Sequence, residues 1–169
     1  MISLQITDIK NFMNQLLGTT TFDSFLLAEA TITTYNTFII DGHIIPEFFI
    51  SEDSLEEADS TTAIPEFSRW SDMRSLCYHL IKGKRTPVGF RVILHLSNEQ
   101  TKTILAKHPD LCLTELKALV LNIKYDGHVL TCITATAVHT FTPDKTIDKL
   151  WDNTFKQFLT AHKIVFEEL

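Results

Sequence analysis

The residues best placed to do chemistry in this chain are the cations of Lys82-Gly83-Lys84-Arg85, with Tyr78 one helical turn back and Arg74 two turns back. Three positive charges in four positions exceed what a helix end needs to offset its dipole. Arg74, Lys82, Lys84 and Arg85 suit an anionic partner, nucleic acid or an acidic protein, with Tyr78 or Trp70 offering an aromatic ring. The competing reading is a solvated helix terminus with no partner. Gly83-Lys84-Arg85-Thr86 is not a phosphate loop. Such a loop needs glycine where Tyr78 stands, and it opens a helix rather than ending one.

Other chemistry is weaker in the residues. Seven histidines are spread along the chain, and none forms a helical pair four residues apart or falls at a recognised ligand spacing from a carboxylate. No metal or cofactor is called for. His95 and His139 lie on strands and can meet only through the fold, which keeps open a small hydrolase or ligand-binding enzyme built on converging histidines. Cys77 with His79, and Cys132 with His128 or His139, are the only candidate nucleophile pairs. Cys77 and His79 point to different faces of a regular helix. No nucleophile elbow or dinucleotide fingerprint is present, so no catalytic residue is assigned.

These side chains must be positioned by the stretch from Phe67 to Leu96. Met73, Leu76, Cys77, Leu80 and Ile81 recur at helical spacing and form one apolar stripe. Ser71 is expected to cap this helix and Gly83 to end it in a left-handed conformation. Beyond Pro87, Val88, Phe90, Val92, Leu94 and Leu96 alternate with Gly89, Arg91, Ile93 and His95, a strand with one wholly apolar face.

The flanking chain reads in the same terms. Ile2, Leu4 and Ile6 alternate as a first strand. A helix capped by Thr7 or Asp8 then carries Ile9, Phe12, Met13, Leu16 and Leu17, with Gly18 ending it. The runs 22–32 and 35–40 are β-branched and aromatic, hence strands, and Asp41-Gly42 signals a two-residue hairpin turn. A short strand is expected near 64–67. Ser97 with Gln100 forms a capping box for a short helix to Lys107, with Pro109 past its end. The runs 116–125 and 128–141 flank a second Asp-Gly turn, which would pair Tyr125 with His128, Ile123 with Leu130, Leu121 with Cys132 and Leu119 with Thr134. Thr142-Pro143 should start the last helix, with proline at its first position. Ile147, Leu150, Trp151, Phe155, Phe158 and Leu159 supply its apolar face, and a terminal strand is expected at 164–166.

Hairpins separated by helices indicate an α+β fold, a mainly antiparallel sheet packed by about four helices. The pattern Asp-Gly-His followed by apolar residues occurs at Asp41 and again at Asp126, 85 residues on. It suggests two β-α-β-β-α halves.

The length of 169 residues fits a single domain, and 44% hydrophobic with 21% charged residues is ordinary globular composition. The three scattered cysteines (Cys77, Cys112, Cys132) fit small buried hydrophobes in a reducing compartment. The first residues have no basic flank or apolar run of the signal-peptide type, and no segment approaches a membrane span. A cytoplasmic protein with no membrane partner is expected. Oligomeric state is not legible. The net charge of −6 is uneven. Six acids and no Lys or Arg fall in 43–65, whereas six bases and two acids fall in 66–91. The Ser/Thr-rich acidic stretch 51–62 has no core periodicity and is expected to be a mobile loop.

Phe25-Leu26-Leu27-Ala28-Glu29-Ala30-Thr31-Ile32, Ser75-Leu76-Cys77, Ile81-Lys82-Gly83-Lys84-Arg85-Thr86-Pro87 and Phe166-Glu167-Glu168-Leu169 resemble a family of uncharacterised bacterial proteins, a domain of unknown function. That resemblance spans nearly the whole chain and implies no activity and no functional residue. In order of elements alone, the first half is similar to one domain of a DNA sliding clamp. The helices after Ser97 and after Pro143 depart from that plan.

The combined expectation is a non-catalytic binding or interaction module whose partner meets Arg74, Tyr78, Lys82, Lys84 and Arg85.

Overall fold

A computed structural model describes residues 1–48, 64–108, 116–140 and 143–169. The acidic stretch 51–62, Phe49, Pro109, Cys112 and Thr142 lie outside the described residues.

The first alternating segment forms β1 (Ser3–Ile6). The first amphipathic stretch forms α1 (Ile9–Gly18), whose N-cap Asp8 accepts from the Asn11 N–H. Two β-branched runs become β2 (Phe25–Thr33) and β3 (Thr37–Asp41). A two-residue β4 (Ser68–Arg69) leads into α2 (Trp70–Ile81), followed by β5 (Gly89–Leu96). Ser97 caps α3 (Asn98–Leu105) by accepting from the Gln100 N–H. The hairpin β6 (Leu116–Tyr125) and β7 (Leu130–Val138) precedes α4 (Thr146–Ala161) and β8 (Phe166–Glu168).

The fold is α+β; the described residues form four α-helices and one eight-stranded antiparallel sheet in the order β3-β2-β5-β6-β7-β1-β8. The short β4 sits on the same edge of β2 as β3, opposite Leu26 and Leu27. One sheet face is continuous core. Leu4, Ile6, Leu27, Ala30, Val92, Leu94, Leu121, Ile123, Leu130 and Cys132 join Phe12 and Leu16 of α1, Cys77 of α2, and Trp151, Phe155 and Leu159 of α4 in one buried cluster. Leu105 and Ala118 are buried outside it, where α3 meets β6.

Several sequence expectations are corrected by backbone detail. Helix α2 begins at Trp70 with Arg69 at its N-cap, and no side chain caps it. The Ser71 hydroxyl instead donates to the Asp72 carboxylate. Gly83 is not left-handed, because the helix already ends at Lys82 in an extended conformation. Leu76, expected in the stripe, is 47% exposed, and Trp70 takes the buried place one turn before Met73. Helix α4 starts at Thr146 rather than Pro143. The Asp144 carboxylate accepts from both the Thr146 N–H and its hydroxyl, a local bond that competes with an earlier helical turn.

The two Asp-Gly sites differ. At the second, the Asp126 carboxylate accepts from the His128 and Val129 N–H groups, and the Asp126 N–H donates to the Val129 carbonyl. The turn therefore centres on Gly127 and His128, with only Gly127 at positive φ (96°), as in a turn with glycine at its first central position. Its register pairs Tyr125 with Leu130, Ile123 with Cys132 and Leu121 with Thr134, two residues from the expected pairing. An even shift leaves every side chain on its expected face.

At the first, Asp41 is the last residue of β3 and no hairpin turn follows. Gly42 donates to the Ala28 carbonyl and accepts from Ser68, and His43 bridges to Phe67. A Cβ on Gly42 would stand 1.7 Å from the Leu27 carbonyl oxygen, so glycine is required by close approach to β2, at its bulge. The order β-α-β-β-α describes β5 to α4, whereas β4 interrupts it in the first half, and the pairing does not repeat either. β5 lies beside β6, whereas β1 lies beside β7.

Candidate functional site

The basic bend forms because α2 ends at Ile81 while β5 begins only at Gly89, and residues 82–88 must cross between them. Lys82, Gly83, Lys84, Arg85 and Thr86 are exposed. Lys82, Lys84 and Arg85 make no ion pair among the described residues. The Lys82 ammonium lies 5.6 Å from the Tyr78 ring centroid, within cation–π reach. Of the five expected site residues, Tyr78 meets Lys82, and Lys82 lines one concavity with Lys84 and Arg85.

Arg74 is placed differently. Its Nη1 donates to the Thr19 carbonyl at 2.6 Å, and its Nε stands 3.3 Å from the Asp23 carboxylate. The guanidinium is spent on the link after α1 and ties that link to α2. Trp70 is fully buried, its indole N–H donating to the Leu16 carbonyl at 2.9 Å, so its ring is not offered to a partner.

The bend separates two concavities. One, of about 540 Å3, is lined by Lys82, Lys84 and Arg85 together with Thr34, Tyr35 and Val88. The other, of about 360 Å3, is walled by apolar side chains: Ile9, Met13 and Leu17 of α1, Ile81 of α2, then Pro87 and Phe90. Asn14, Gly18, Tyr78, Lys82, Thr86 and Tyr125 complete it. The Tyr125 hydroxyl already donates to the Gly127 carbonyl. The α1 residues were legible as stripe positions but not as cavity walls. Their signal is the i, i+4, i+8 row Ile9-Met13-Leu17 beside the fully buried Phe12 and Leu16.

His95 and His139 do not meet. His95 pairs with Val120, and Val120 with Ala135, two strands across and four residues short of His139. His95 instead packs edge-on against Phe67, which also stacks with His43. Burial, with help from nearby Lys117 and His43 and opposed by Glu66, holds the His95 pKa below its ordinary value. His43 bonds the Asp41 carboxylate. Cys77 and Cys132 are buried free thiols, and burial raises both, Cys77 to about 11. His79, His128 and His139 are exposed and do not share the core face with them. Among the described residues no group of three His, Cys, Asp or Glu side chains is close enough to hold a metal ion. No described helix is long and apolar enough to cross a membrane.

No curated protein and no solved structure matches the chain. Residues 15–167, which include α2, the basic bend and both concavities except Ile9, Met13 and Asn14, match a family model described as a family of unknown function. The chain belongs to that family, DUF5721.

Proposed function

We propose that this chain is a single-domain, non-catalytic cytoplasmic binding module whose anionic partner docks on the bend at the end of α2. The observation that carries the reading is the run of three exposed cations, Lys82, Lys84 and Arg85, without ion pairs among the described residues. Tyr78 holds Lys82 from one side, and the larger concavity gives a partner's charged groups a place to enter. Arg74 acts behind this surface, fixing α2 to the link after α1. Buried free thiols at Cys77 and Cys132 fit a reducing compartment.

Titration of fluorescent single-stranded and duplex oligonucleotides and of heparin, at about 50 mM salt, tests the reading while screening is modest. Binding should weaken steeply as salt is added, because each neutralised anion releases counterions. The double variant Lys84→Glu/Arg85→Glu should abolish binding and keep the wild-type melting temperature. Absence of binding by the wild-type protein overturns the reading.

A further inference from the structure

We infer that the apolar cavity between α1 and the end of α2 is a binding site for a small amphiphile, with its apolar body inside and a single anionic head at Lys82. The walls determine the body. Ile9, Met13 and Leu17 face Ile81, Pro87 and Phe90 across a space of about 360 Å3, within the range of small-molecule pockets. Water in such a space gains few hydrogen bonds, and an apolar group that displaces it is favoured by the area it loses to solvent. Met13 is flexible and polarizable, and adapts to the shape of an occupant.

The rim determines the head. Lys82 is the one charged side chain lining this cavity among the described residues, and no carboxylate lines it. Its ammonium leans on the Tyr78 ring and has no anionic partner among the described residues. A cationic head would meet uncompensated repulsion, a neutral one would leave the ammonium as it is, and an anionic one would pair with it. The Tyr125 phenol is already committed to the Gly127 carbonyl, which leaves the Tyr78 and Thr86 hydroxyls and the Asn14 amide to orient the head. The site shares Lys82 with the polyanion surface proposed above but needs neither of that surface's other two cations. That surface uses Lys84 and Arg85, which line the concavity on the other side of the bend.

The test compares octanoate, octan-1-ol and octylamine, three heads on one apolar body, titrated below micelle-forming concentrations into the 15N-labelled full chain. Octanoate should shift the amides of 9–18, 78–90 and Tyr125 and bind roughly tenfold tighter than octanol, a difference of about 1.4 kcal/mol. Octylamine should bind most weakly. Lys82→Gln should bring octanoate to the level of octanol, and Met13→Trp, which fills the cavity, should remove both. Lys84→Glu/Arg85→Glu should leave octanoate binding in place, so loss of polyanion binding and loss of this site are read separately. Lys82 is exposed, so Lys82→Gln and the wild-type series decide the matter even where Met13→Trp impairs folding. Equal affinity for octanoate and octanol, shifts not confined to the named segments, or no shift with any of the three overturns the inference.

Discussion

The indole N–H of Trp70 donates to the carbonyl oxygen of Leu16 at 2.9 Å, 54 residues away in sequence. Leu16 lies in the last turn of α1, where carbonyls have no partner within the helix. The first residue of α2 therefore completes the end of α1, and both helices present one side to the sheet and one to the apolar cavity. Arg74, one turn on, repeats the device at the Thr19 carbonyl. Trp70→Phe should keep most of the packing and leave the Leu16 carbonyl buried without a donor, at a cost of about 1–3 kcal/mol. Urea unfolding followed by far-UV circular dichroism measures it. A loss under about 0.5 kcal/mol would show that solvent reaches that carbonyl.

Helix α4 anchors the other end of the core. Trp151 and Phe155 are 2% and 0% exposed, and the Trp151 indole donates to the Val120 carbonyl of β6. Replacing either by alanine should cost about 3–5 kcal/mol, a large share of a typical domain's ~5–15 kcal/mol. Chemical denaturation with the slope held common to wild type and variants gives the difference. A loss below about 1 kcal/mol would make α4 peripheral to folding.

Two glycines should respond in opposite ways. Gly42→Ala drives a methyl group into the Leu27 carbonyl and should destabilise by about 3 kcal/mol, the upper end for overpacking. Around Gly83 the nearest atom to an added Cβ is 3.9 Å away, and its φ is not positive. Gly83→Ala should therefore be neutral or stabilise by about 0.4–1 kcal/mol, through the unfolded chain. Paired melting curves of the two variants check this, and a destabilised Gly83→Ala would mean that the bend needs glycine after all.

The stability of the protein should fall as pH drops below about 6.5, the ordinary histidine value. His95 binds a proton less readily in the fold than in the unfolded chain, because it is half-buried against Phe67. Below that pH the unfolded state takes up the proton first, and stability declines until the folded His95 also titrates. Asp41, Asp126 and Asp144 are held below the usual carboxylate range by hydrogen bonds, chiefly from the His43 backbone, the Val129 backbone and the Thr146 hydroxyl respectively. Their contribution is present above about pH 4 and lost below it, a separate window. His95→Gln should flatten the decline between pH 6.5 and 5 in a series of urea midpoints, taking these as approximate bounds. An unchanged slope would assign the decline to other groups.

The kinds of elements were legible because burial imposes a period. Phe90, Val92, Leu94 and Leu96 alternate and are all buried on one face of β5. Phe12, Leu16, Trp151, Phe155 and Leu159 recur at helical spacing and all reach the core. Asp8 and Ser97 cap their helices through bonds spanning three residues, which a linear reading can see. The Asp126 turn was half legible. Asp-Gly marked its place, but the choice between two registers was made by which backbone N–H groups the carboxylate accepts.

What the sequence alone determined was therefore local and periodic: helices, strands, the faces they bury, and a cluster of cations after α2. What only the tertiary structure decided was which of these features are used up. Arg74 looked like a partner-binding cation and is spent on Thr19 and Asp23, and Trp70 looked like a free ring and is buried against Leu16. Gly42 looked like a turn and is a point of close approach between strands. Ile9, Met13 and Leu17 looked like ordinary core and wall a cavity whose far side comes from residues more than sixty positions away. Such relations depend on long-range contacts, and a pattern of neighbours in sequence carries the energy of burial but not the identity of what will be buried against it.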